Sequence, residues 1–216
     1  MKTSINYKSV VIIGSFNPMI LTPSFLRDSC GFKSEHEPKG QTTPVASEIR
    51  LGNTHFLAEL SKLQITVQDL DSFDSLFPWD LAARYLDILK YTPLNMAGVN
   101  FNYALSGFDM TSLQNILQNP WEVGAKLDLD PTGMIFILRK HNSEELGLSD
   151  LTVVHQVYDN MKNTVKLTFD SPVLTINSNF EVDKLDSDRE KIHVISERYD
   201  ELVALNQRFI DRVSEL

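Results

Sequence analysis

The sequence has one cysteine, Cys30, so no disulfide can form within the chain and a disulfide-stapled miniature fold is excluded. Basic residues are scarce. Lys and Arg total 20 against 29 Asp and Glu, a formal net charge of −9. That balance argues against a general phosphate-backbone binder, so direct nucleic-acid binding is not expected. Long apolar runs are missing: no stretch approaches the ~20 residues of a membrane-spanning helix. The run Val10–Ile13 is also too short for a secretory leader and lacks a small-residue cleavage site. A cytoplasmic location without membrane association is therefore expected. Gly and Pro number nine each in 216 residues, beside 42% hydrophobic and 23% charged residues, which excludes collagen-like and disordered classes. There is no G-x-S-x-G, no G-x-G-x-x-G, no P-loop and no C-x-x-C.

What is present alternates between strand and helix signals. Ser9–Phe16 (SVVIIGSF) is a continuous apolar run and reads as a strand buried on both faces. Thr22-Pro23 offers a helix start and Gly31 a stop, so Pro23–Cys30 is predicted as a short helix. Lys33–Thr43 reads as a polar loop. Ser47–Leu51 and His55–Leu60 carry weaker strand signals. In Lys62–Asp69, Leu63, Ile65 and Val67 alternate with polar residues, which predicts a half-buried strand. Helical spacing predicts a helix over Trp79–Tyr91, ended by Pro93. Met96–Leu105 returns to strand, and Thr111 with Gln114 forms a capping box for a helix closing at Asn119-Pro120. Met134–Leu138, Leu151–Tyr158, Thr164–Asp170 and Val173–Val182 read as strands. Ser187 with Glu190 caps a last helix running toward Leu216.

This order predicts an α+β fold: a mostly antiparallel sheet covered by two long helices. It also suggests two tandem β-α-β(n)-α repeats, residues 1–93 and 94–216, in one compact unit. Two local matches support the repeat, Phe16-Asn17 with Phe101-Asn102 and Arg84-Tyr85 with Arg198-Tyr199.

Chemistry-bearing candidates are few. Asn17 ends the first strand, and Asn100 and Asn102 alternate with Phe101; their amides are the candidate ligand contacts. The alternative for Asn17 is a turn residue bonding local backbone. Glu190 and His193 make one E-x-x-H, but a di-iron bundle needs two. Asp128-x-Asp130-x-Thr132-Gly133 opens like a calcium loop, yet its twelfth position is Arg139 rather than Glu. No metal, cofactor or catalytic residue is expected. Trp79 and Trp121 sit at element boundaries and read as packing residues. The last helix carries Tyr199, Leu202, Leu205, Phe209 and Val213 on one stripe, the candidate partner-binding face.

Gly14-Ser15-Phe16-Asn17-Pro18 after a strand is similar to the opening of the nicotinamide mononucleotide adenylyltransferases. In that family an H-x-G-H follows, whose histidines grip the triphosphate within a parallel sheet. Here Ile20 and Pro23 stand at the histidine positions and Thr22 at the glycine, so the likeness is degenerate. Taken with Thr92–Asn102 (TPLNMAGVNFN) and Leu205–Ile210, the SVVIIGSFNP stretch resembles a sporadically distributed bacterial family of unknown function. That resemblance transfers no site residues. Its sporadic distribution implies mobile or antiviral-defence gene neighbourhoods. The expected function is a non-enzymatic subunit or adaptor of a bacterial assembly, with a protein partner or homo-oligomer. The alternatives are a small-molecule or nucleotide-binding domain, and a degenerate nucleotidylyltransferase-like enzyme.

Overall fold

The computed structural model describes residues 2–32, 37–68, 78–107, 135–140, 148–158, 161–170, 173–182 and 188–214. The first elements are β1 (Lys2–Gly14), a 3-10 turn (Pro18–Ile20), a π turn (Phe25–Ser29), β2 (Lys39–Thr42), β3 (Ala46–Leu51), β4 (Thr54–Glu59) and β5 (Lys62–Gln68). They are followed by α1 (Pro78–Ile88), β6 (Leu94–Ser106), β7 (Ile135–Lys140), β8 (Leu148–Tyr158), β9 (Met161–Asp170), β10 (Val173–Val182) and α2 (Asp188–Ser214). The expected helix at Thr111–Asn119, Trp121 and the Asp128–Gly133 loop lie outside the described residues.

The strands form one sheet in the order β2-β3-β4-β5-β1-β6-β10-β9-β8-β7. Each pairing with a described register, β1–β5, β2–β3, β3–β4, β4–β5, β7–β8 and β8–β9, is antiparallel. By contacts the chain divides into two compact units. One holds Asn6–Asn100 with Val182–Ser196; the other holds Met1–Ile5, Phe101–Glu181 and Glu197–Leu216.

In the Asn6–Asn100 unit the pleat separates two faces. Val10, Ile12, Ile49, Phe56, Ala58, Leu63, Ile65 and Val67 are buried on one face. The opposite face carries Lys39, Gln41, Glu48, Arg50, His55 and Gln64, exposed or half-buried. α1 buries Trp79, Leu81, Ala82, Tyr85 and Leu86. Each of the larger aliphatic side chains among them contributes about 1.5–3 kcal/mol when withdrawn from water. In the Phe101–Glu181 unit the Phe101 ring meets Phe180 edge-on at 6.0 Å and Tyr199 of α2 at 6.2 Å. Two buried polar pairs sit in that core. Ser178 Oγ donates to Asn163 Oδ1 at 3.1 Å, and Asn206 Nδ2 of α2 donates to the Tyr103 hydroxyl.

The expectation of two long helices covering the sheet, one ending each of two tandem units, is overturned. A single large antiparallel-rich sheet dominates, and only two helices reach seven residues among those described, α1 with 11 and α2 with 27. The reason lies in local sequence. α1 stops at Ile88, where Thr92 N–H bonds the Leu89 carbonyl to form a turn before Pro93. Strand content is also larger than periodicity suggested. β1 and β6 each span 13 residues, and β2 falls inside the stretch read as a polar loop. β1 is not buried evenly on both faces: Val10 and Ile12 are buried, while Val11 and Ile13 are half-buried.

Candidate functional site

The sharpest motif of the sequence, Gly14–Pro18, forms a corner of the Asn6–Asn100 unit. Three successive amides end β1 there. Gly14 N–H donates to Ser61 O at 3.0 Å, Ser15 N–H to Pro93 O at 2.9 Å and Phe16 N–H to Leu60 O at 2.9 Å. The chain end of β1 is thus tied alternately to the β4–β5 turn and to the loop between α1 and β6. Gly14 is required at this approach, because a Cβ there would run into the Pro93 carbonyl oxygen and press Leu94 and Phe16. The Phe16 ring turns inward, 6.4 Å from Tyr85 of α1, which also meets Phe25 edge-on at 5.6 Å. Asn17 caps the 3-10 turn: its Oδ1 accepts from Met19 N–H at 3.1 Å, with Pro18 at the first position of the turn.

The corner leaves large apolar side chains in solvent. Tyr91 is 87% exposed, Leu60 56% and Met19 51%, and Ile88 at the end of α1 is also exposed. Leu60 adjoins Ser61 in the turn that bonds β1, Tyr91 lies two residues before Pro93, and Met19 lies two residues after Asn17. Lys90 Nζ stands 5.3 Å from the Tyr91 ring centroid, a cation–π contact of about 0.5–1 kcal/mol at an exposed site.

Beneath the corner the interior holds groups with little chemical freedom. Burial pushes the Cys30 thiol up to about 11, although the nearby Arg84 guanidinium acts in the opposite direction. Burial, with Cys30 adding to it, pushes the Tyr85 hydroxyl up to about 12. Tyr85 O–H and the Trp79 indole N–H are buried without a hydrogen-bond partner among the described residues. Each costs about 1–3 kcal/mol of desolvation.

Asn17 is exposed and committed to its turn. Asn100 is half-buried and Asn102 buried, two residues apart on β6 and therefore on the same face of that strand. On α2, Tyr199, Leu202 and Phe209 are buried within the chain, and Leu205 is half-buried. Those buried side chains serve internal packing. The side chain of Val213 lies outside the described residues. His193 is exposed on α2. Among the described residues no group of three or more His, Cys, Asp and Glu is placed to hold a metal ion. Among them no helix is long and apolar enough to cross a membrane.

Sequence reasoning passed over Leu60 and Tyr91. Leu60 ends a strand signal and Tyr91 a helix signal, and neither was singled out; the signal for exposure was the polar Ser61-Lys62 and Thr92-Pro93 that follow them. Comparison with known proteins finds no family model that matches the chain and no similar curated protein.

Proposed function

We propose that the chain is a non-enzymatic subunit or adaptor that docks a protein partner through the Met19–Leu60–Ile88–Tyr91 corner. The observation carrying this reading is that backbone bonds from Ser15 to Pro93 and from Phe16 to Leu60 join three segments, each of which carries an exposed apolar side chain. Contiguous exposed apolar patches mark interaction surfaces. Aromatic anchors such as Tyr91 commonly dominate binding energy.

The nucleotide-handling alternative has weaker support from the same geometry. A phosphate cradle needs free backbone N–H groups. Here the amides of Gly14, Ser15 and Phe16 are each bonded to a carbonyl. The pairing of β1 with β5 is antiparallel, whereas the adenylyltransferase likeness implies a parallel core. A small-molecule reading through Asn17, Asn100 and Asn102 meets the same difficulty, because Asn17 Oδ1 is already occupied.

A photoreactive phenylalanine analogue placed at Tyr91, and at exposed Glu197 of α2 as control, tests the reading in cells that express the protein. The expected result is a discrete adduct from position 91, lost with Leu60→Asp and absent from position 197. An adduct of twice the chain's own mass identifies the partner as a second copy. No adduct, or the same adducts from both positions, overturns the reading.

A further inference from the structure

A second surface of the Asn6–Asn100 unit lies away from the corner residues in sequence and has different chemistry. β2 ends the strand order, and among the described residues no strand pairs its outer side. All of Lys39, Gly40 and Gln41 are exposed. Register places Lys39 opposite Arg50 of β3, and Arg50 opposite His55 of β4. Directly opposed residues share a face, so the three form a row running inward from the edge. An open depression at its outer end is lined by Lys39, Gly40, Gln41, Glu48 and Arg50.

The charges in this row are unbalanced in a specific way. The carboxylate of Glu48 lies 3.3 Å from Arg50 Nη2 and 3.0 Å from His55 Nε2. Glu48, itself part of the depression's lining, is thus already engaged by Arg50 and His55. Lys39, outermost and facing Arg50 as a like charge, has no ion-pair partner among the described residues. Like charges directly opposed across a strand pair are destabilising. A lysine on a short edge strand also repels unspecific strand addition. An extended segment that bonds this edge, unpaired among the described residues, and sets a carboxylate beside Lys39 relieves the like-charge opposition and is the kind of strand the lysine does not repel.

We infer that the outer edge of β2, with Lys39 and Arg50, is a docking site for an acidic peptide segment added as an extra strand. Main-chain hydrogen bonds supply affinity in this mode, and alternate side chains supply selectivity. A peptide alternating Glu and Thr presents every second side chain to the Lys39 face. This inference is independent of the corner proposed above: substitutions at Leu60 and Tyr91 leave it untouched.

Fluorescence anisotropy with a labelled Glu-Thr peptide, at low salt, tests it on the full chain. Saturable binding is expected, with at least about tenfold loss for Lys39→Glu and for a peptide N-methylated along one edge. A Lys-Thr peptide is expected to bind Lys39→Glu better than it binds the unaltered chain. Circular dichroism of the variant checks that the fold is retained. Equal binding of acidic and basic peptides, or no saturable binding at millimolar peptide, overturns the inference. Tighter binding of oligothymidylate than of the acidic peptide also overturns it and assigns the surface to nucleic acid.

Discussion

Gly14→Ala is the sharpest stability test of the corner. The added methyl would meet the Pro93 carbonyl oxygen, with Leu94 Cδ2 and Phe16 Cε2 both at 3.2 Å on the other sides. Because the nearest obstacle is backbone, the α1–β6 loop must move outward. Forcing a methyl into a packed site costs about 1–3 kcal/mol. The loop shift also breaks the 2.9 Å bond from Ser15 N–H to Pro93 O, worth about 0.5–1.5 kcal/mol net. The combined loss is about 2–4 kcal/mol. For a chain of this length about 2–4 °C of Tm accompanies each kcal/mol, so thermal unfolding should fall by about 4–16 °C. Leu60→Asp and Tyr91→Asp, at side chains mostly in water, should stay within about 2 °C of the parent. Circular dichroism melts of the three variants read this directly. If Gly14→Ala melts with the parent, β1 is not closed against Pro93 as described and the corner is not a fixed surface.

Further consequences concern the interior. Tyr103→Phe removes the buried partner of the Asn206 amide and should cost about 1–3 kcal/mol in urea unfolding; an unchanged midpoint would show that the pair does not hold α2 on β6. Ser178→Ala and Asn163→Ala should each destabilise, but the double variant should lose less than the sum. Strict additivity would exclude coupling between those side chains. For Cys30 the ordinary value is 9.0 and the folded value about 11. Below pH 9 folded and unfolded chains both keep the thiol proton. Between pH 9 and 11 only the unfolded chain releases it, so stability falls as pH rises. The urea midpoint should therefore decline more steeply over that window in the parent than in Cys30→Ala; parallel slopes would contradict burial of the thiol.

The sequence made the regular interior of the sheet readable because alternation reports which side of a strand is dry. Leu63, Ile65 and Val67 of β5, and Leu174, Ile176 and Phe180 of β10, show it plainly. β2 escaped detection because Lys39, Gly40 and Gln41 are all exposed at an edge and carry no hydrophobic period. Helix length was overstated because Ile88 and Leu89 keep the apolar spacing up to the point where a turn closed by Thr92 N–H on the Leu89 carbonyl takes over. The corner was harder still. Its ties are backbone bonds between residues about 45 to 80 positions apart, which leave no trace in local composition. Asn17 was visible as a turn residue, but its commitment to Met19 N–H could be seen only with the backbone in place.

The most direct test of the central claim is the affinity of the partner trapped at Tyr91, purified and titrated by calorimetry against the parent chain and against Leu60→Asp/Tyr91→Asp. Loss of two central apolar anchors, each worth about 2 kcal/mol or more, should weaken binding by at least about a hundredfold while the variant melts like the parent. An affinity unchanged by the double substitution would contradict docking through this corner.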